Sequence, residues 1–137
     1  MPGCVLRVDG SKFNVGQFLT ESNLKPCMVY HKGKYRFPTS KRKETTSGMN
    51  IVVSDTEGDK IKKQIKDAIL FLKKNKRELN RLKGYPGVES LCLDFGFNVK
   101  VGCDDSYVLF IRFPTELINE ASKYGIEMEL SLYPTDF

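Results

Sequence analysis

The stretch LCLDFGFNV, residues 91–99, decides the fold. Leu91, Leu93, Phe95, Phe97 and Val99 alternate with Cys92, Asp94, Gly96 and Asn98. A period of two marks a strand with one buried face. Such a strand must be covered on its apolar side, so the rest of the chain has to supply both sheet neighbours and a cover.

The neighbours are readable on both sides. Ile126–Tyr133 alternates in the same way, with Pro134 as its stop. Cys4–Asp9 is short and apolar-rich, and Met49–Ser54 puts Met49, Ile51 and Val53 on one face. Met28–Phe37, with Tyr30, Tyr35 and Phe37 around Lys32-Gly33, reads as a hairpin or bent strand. Gly33 supplies its unusual backbone angle. Pro38–Gly48 is a polar, basic loop. Gly102–Ser106 reads as a turn, with Tyr107–Phe113 as the returning strand.

The cover comes from amphipathic helices. From about Asp59 to Lys83, Ile61, Ile65, Ala68, Leu72, Leu79 and Leu82 fall on one stripe at helical spacing. Gly84, Pro86 and Gly87 terminate it. Asn14–Leu24 is a shorter helix, capped by Asn14 and ended by Lys25-Pro26. Pro114 opens a third at its first turn. Leu117, Ile118, Ala121 and Tyr124 form its buried side, and Gly125 caps its end. The order β-α-β-β-α-β-β-α-β predicts a single α+β domain over residues 1–137. Its expected architecture is ferredoxin-like, one mostly antiparallel sheet with helices on one face and the other face open.

Composition sets limits on function. The chain has 137 residues, 40% hydrophobic and 28% charged, values of an ordinary globular domain large enough for a real core. Met1–Gly10 does not read as a secretory leader, and no apolar run approaches the roughly 20 residues that span a bilayer. The expectation is therefore a cytoplasmic protein without a membrane partner. Cys4, Cys27, Cys92 and Cys103 are widely spaced and read as free thiols. The net charge of +5 hides a split: residues 1–87 carry 19 basic and 8 acidic side chains, residues 88–137 carry 3 and 9. A split of that size suggests electrostatic steering of a partner.

Catalytic readings fail one at a time. No glycine-rich phosphate loop follows a strand and opens a helix. His31, the single histidine, has no ligand cluster for zinc; beside Lys32 and Lys34, whose charge disfavours its protonation, it could in principle serve as a base, but it reads as a surface residue of the hairpin. Cys103 lies beside Asp104 and Asp105, whose charge disfavours a thiolate. Two adjacent carboxylates do not make a calcium loop. We therefore expect no enzyme, no cofactor and no metal site.

Binding surfaces are better supported. Lys66, Lys73 and Arg77 lie on the polar side of the long helix and, with Lys41-Arg42-Lys43, could contact phosphates. The segment Lys32–Phe37 faintly resembles the stacking motif of RNA-recognition domains, with Lys34 and Arg36 where aromatic or small residues belong. Sheet parity counts against that use. If Leu91, Leu93, Phe95 and Phe97 face the helices, Asp94 and Asn98 face outward. If Ile126, Met128, Leu130 and Leu132 face inward, Glu127, Glu129 and Tyr133 face outward. The open face is then acidic and repels phosphate. Arg112 is expected to point outward, with Val108 and Phe110 on the open face. Apolar anchors ringed by carboxylates suit a protein partner. The candidate partner-binding residues are accordingly Asp94, Phe110, Arg112, Glu127, Glu129 and Tyr133.

The opening CVLRVDG, a short helix ending in LKP, the long central helix, the strand LCLDFGF and the closing FPTELINEASKYGIEMELSLYP resemble bacterial proteins of the domain-of-unknown-function family numbered 4279. The resemblance spans most of the chain and rests on hydrophobic pattern and turn residues. It departs from the family pattern in lacking a tryptophan within Met49–Ser54. It implies a small cytosolic protein, and some members resemble immunity proteins of toxin systems. No catalytic or binding residue carries over. The expected function is an immunity-type protein that neutralises a cognate bacterial toxin by direct binding, a nuclease being one candidate toxin. The alternatives are a nucleic-acid-binding module using the basic helix and a non-catalytic adaptor.

Overall fold

The computed structural model describes residues 3–100 and 110–135. Strand β1 (Cys4–Gly10) is the centre of the sheet. Helix α1 (Val15–Thr20) follows, then β2 (Met28–Tyr30) and β3 (Ser47–Ser54). Helices α2 (Ile61–Lys74) and α3 (Lys76–Lys83) lead to β4 (Ser90–Lys100), and α4 (Thr115–Ser122) to β5 (Glu127–Thr135). The five strands lie in the order β2-β3-β1-β4-β5. β1 runs antiparallel to both β3 and β4, and β2 antiparallel to β3.

The last pairing is parallel: Cys92 stands opposite Glu127, and the register holds to Lys100 and Thr135. The sheet is therefore mixed rather than mostly antiparallel. Parallel neighbours need a crossover, and α4 provides it. The ferredoxin-like order is not confirmed. The α+β class and the single covered face are as the alternation requires. Cys4, Leu6, Val8, Met49, Ile51, Leu91, Leu93 and Phe95 are buried from the sheet side. Val15, Phe18, Ile65, Ala68, Leu72, Leu79, Leu82, Leu117 and Ala121 meet them from all four helices.

Several boundaries moved for identifiable reasons. The expected single helix from Asp59 to Lys83 is broken at Asn75. The Asn75 side chain donates to the Phe71 carbonyl at 2.9 Å and its own backbone N–H donates there too, at 3.0 Å. Asparagine competes with helical bonding in this way. Leu79 and Leu82 stay buried across the break, because the chain resumes as helix at Lys76. Helix α1 stops at Thr20 instead of Leu24, although Asn14 caps it as expected, accepting from Gln17 N at 3.1 Å.

The hairpin expected over Met28–Phe37 shortens to three strand residues. Beyond them the chain turns, with Gly33 at φ +80°, and is tied to the return arm by Gly33 N–H to Glu44 O and Glu44 N–H to Lys34 O, both 2.8 Å. Residues 110–113 have no regular structure, so the expected strand Tyr107–Phe113 is absent over its described part. Residues 107–109, and with them Val108, lie outside the described residues, as does the expected turn Gly102–Ser106 with Cys103, Asp104 and Asp105. Ile118, assigned to the buried side of α4, is exposed. Pro134 does not stop β5, which continues to Thr135. A proline is tolerated there because β5 is the last strand of the described sheet.

Candidate functional site

The face of the sheet away from the helices is built by the outward positions of each strand. Reading across the register, Asn50 of β3 stands beside Arg7 of β1, Cys92 of β4 and Glu127 of β5. The next row is Val52, Val5, Asp94 and Glu129, and Ser131 lies two residues further along β5. Three of the candidate acids, Asp94, Glu127 and Glu129, are thus brought onto neighbouring strands of one uncovered face. Tyr133 is also there, its ring 3.2 Å from where a Cβ on Gly96 would stand.

The acids do not stand alone. Arg7 projects from β1 between them and donates to Asp94 Oδ2 at 2.7 Å and to Glu129 Oε2. Ser131 Oγ donates to the second Asp94 oxygen at 2.6 Å. The Asp94 side chain is 15% exposed and that of Arg7 42%. Asp94 is therefore a held, largely covered carboxylate, while Glu127 and Glu129 present charge to solvent. Sequence reasoning missed Arg7, although the parity of β1 gave it: with Cys4, Leu6 and Val8 inward, Arg7 must face out.

A second cluster lies at the β2 side of the same face. Tyr30 stands opposite Gly48, and a Cβ on Gly48 would come within 2.5 Å of the Tyr30 hydroxyl and 2.4 Å of the Val8 carbonyl. Only glycine lets that ring lie flat on the strand. Arg36 stacks on the outer side of the Tyr30 ring at 3.9 Å and pairs through Nε with Glu44 at 2.7 Å. Burial, then Asp9, pushes the Tyr30 phenol up. Burial, then Glu89, pushes the Asp9 carboxyl above the ordinary range, with Arg7 opposing. Burial, then Glu129, raises the Cys92 thiol, and Cys4 is raised mainly by burial. None of these groups is tuned toward a nucleophile at neutral pH.

The other expected site residues lie elsewhere. Phe110 and Arg112 are not on the open face. They line a cavity with Lys62, Ile65 and Pro114 on the helix side, where Phe110 is 86% exposed. Alternation had been extended through a segment that is not a strand. Lys66, Lys73 and Arg77 are exposed on α2 and α3, but Lys73 is bound to Glu116 and links α2 to α4. His31 and Lys41-Arg42-Lys43 are exposed in the segment between β2 and β3. The stacking motif suggested by Lys32–Phe37 falls in the same segment, off the sheet. Among the described residues no cluster of three His, Cys, Asp or Glu could hold a metal ion, and no helix is long and apolar enough to cross a membrane.

An open mixed sheet with all its helices on one face defines a small α+β module whose free surface is the carboxylate-bearing side of β1, β4 and β5. Over residues 3–135 the chain matches the family described as a domain of unknown function, DUF4279, and it belongs to that family. Neither a curated relative nor a solved structure matches it.

Proposed function

We propose that the chain works by binding, as a cytoplasmic immunity-type protein that neutralises a toxin by laying its open sheet face against a basic surface of that toxin. The observation that carries this reading is the gathering of Asp94, Glu127 and Glu129 on adjacent strands, on a face that no helix covers among the described residues. A nuclease toxin needs a basic cleft for phosphate, and carboxylates presented to such a cleft gain association rate and specificity. Arg7 refines the picture. It holds Asp94 and Glu129 in place, and Glu127 has no ion-pair partner among the described residues. The test is co-expression with the product of the neighbouring gene. The reading requires protection and a direct complex, and a chain that neither binds nor protects refutes it.

A second reading rests on Lys62, Lys66, Lys74 and Arg77, which are exposed along α2 and α3. It makes the chain a nucleic-acid-binding module. Lysine–phosphate contacts alone give weak, sequence-independent binding that falls steeply with salt. Sequence-selective binding that persists at physiological salt would favour this reading over the first.

A further inference from the structure

The segment between β2 and β3 is a basic arm held in one shape. From His31 to Thr46 it carries six lysine and arginine side chains and a single carboxylate, Glu44. Its two limbs are joined by Gly33 N–H to Glu44 O and Glu44 N–H to Lys34 O, both 2.8 Å. Between them, Ser40 Oγ accepts from Phe37 N at 3.1 Å and Ser40 N–H donates to Phe37 O at 3.0 Å. Where the arm leaves the sheet, Lys32 N–H donates to Ser47 Oγ at 2.8 Å.

Charge and aromatic surface alternate along this arm. Arg36 is folded back onto the Tyr30 ring and is neutralised by Glu44. Tyr35 and Phe37, on either side of it, are turned out to 55% and 48% exposure. Two rings left in water forfeit the burial that aromatic side chains usually supply. Lys34, Lys41, Arg42 and Lys43 are exposed as well, and none forms a salt bridge among the described residues. Lys43 Nζ lies 5.9 Å from the centre of the Tyr35 ring. Cations and uncovered ring faces are thus set side by side.

We propose that the arm is a binding site for single-stranded nucleic acid. Unpaired bases stack on Tyr35 and Phe37, and the phosphates between them contact Lys34, Lys41, Arg42 and Lys43. The ligand class follows from the alternation of ring and cation, because a single strand alternates base and phosphate. A duplex offers its phosphates but hides its base faces within the stack, which leaves both rings unused. An anionic bilayer would need the rings to project clear of the cations, whereas Lys34 and Lys43 flank Tyr35. Binding tolerates sequence, since every base has a π-face. The arm springs from the β2 edge of the sheet, opposite the β5 edge, and the site stands independently of the toxin-binding reading.

The experiment titrates fluorescently labelled oligonucleotides of about 12 nucleotides with the folded chain and reads anisotropy at several salt concentrations. Oligo-U and oligo-dT test the two sources of single strand, and a duplex of the same length is the third arm. The proposal expects saturable binding of at least one single strand, tighter than the duplex by about tenfold or more. Tyr35→Ala/Phe37→Ala should weaken that binding by about tenfold or more and leave its salt slope unchanged. Lys41→Glu/Lys43→Glu should weaken it and reduce the slope. Both variants change exposed residues and leave the fold intact. Lys66→Glu/Arg77→Glu, on the helices, should retain binding. Duplex binding as tight as single-strand binding, a ring variant that binds as wild type, or loss of binding in the helix variant would each overturn the proposal. Failure of both single strands to bind would also overturn it, and phosphatidylserine vesicles that bind only with Tyr35 and Phe37 present would then make the arm a membrane contact.

Discussion

Arg7 and Asp94 are 87 residues apart in sequence, yet Arg7 Nη2 stands 2.7 Å from Asp94 Oδ2 across the β1–β4 pairing. The same nitrogen reaches Glu129 on β5. One guanidinium therefore ties three strands together on the face that no helix covers. It also separates two carboxylates that the parallel register sets side by side.

Replacing Arg7 with methionine keeps the stem and removes the charge. Exposed ion pairs contribute little, but Asp94 is largely covered, so a loss of about 1 kcal/mol is expected. Thermal unfolding measures it. Adding Asp94→Asn should recover part of that loss. The same Arg7 variant makes the face more acidic, so association with a basic partner should become faster, not slower.

Glu127→Lys is the cleanest probe of the proposed docking face, because Glu127 has no ion-pair partner among the described residues. Combined with Glu129→Lys it should slow association by about tenfold or more while leaving the circular dichroism spectrum unchanged. Glu129→Lys alone carries a small stability cost, since it places a lysine against Arg7. The matching control is Lys66→Glu/Arg77→Glu, which spares the Lys73–Glu116 link. Loss of toxin binding in the control with retention in the sheet variant would sink the proposed face.

Gly48→Ala puts a methyl group where the Tyr30 ring and the Val8 carbonyl already stand. An expected destabilisation of about 2 kcal/mol follows from overpacking against backbone that cannot retreat. Denaturant unfolding should show it as a lower midpoint. Gly48→Ala combined with Tyr30→Ala should be less destabilised than the sum of the two changes, because the ring is one of the two obstacles.

Two carboxylates give opposite pH signatures. Lys63, then Ser54 and Thr56, hold Asp67 below the ordinary range. A depressed folded-state value contributes stability above the unfolded value, about pH 3.9. That contribution is lost as the pH falls below it. Asp67→Asn should therefore flatten the acid limb of the stability profile. Asp9 is raised, by burial and then by Glu89, so its ionised form opposes folding at neutral pH. Asp9→Asn should raise the melting temperature at pH 7, and the gain should vanish near pH 3, where the wild-type group is already protonated in both states.

Alternation told which side chains of β4 and β5 face the core, and Leu93, Phe95, Met128 and Leu130 lie as it requires, but Leu132, expected inward as well, is 56% exposed near the end of β5. It carries no information on strand direction, since parallel and antiparallel neighbours share the same period. The parallel β4–β5 pairing was therefore not legible. The apolar stripe of α2 and α3 was, but not the break at Asn75, because the residues on either side keep helical spacing. Arg7 was readable by parity and was passed over because it is a single charge in an apolar strand. Phe110 and Arg112 were misplaced for the reverse reason: parity was applied where the chain is not extended in a sheet.

The central position of β1 also governs the order in which the protein can assemble. Its partners are β3, 37 to 50 residues along, and β4, 81 to 91 residues along. The strand at the middle of the sheet is thus translated first and hydrogen-bonded on its second side late, after both α2 and α3 exist. Pairing at such separation closes large loops before any contact repays them. Refolding should accordingly be slow for a chain of this length. Until β4 arrives, the nascent β1–β3 ribbon carries a bare edge that a chaperone or another chain can occupy.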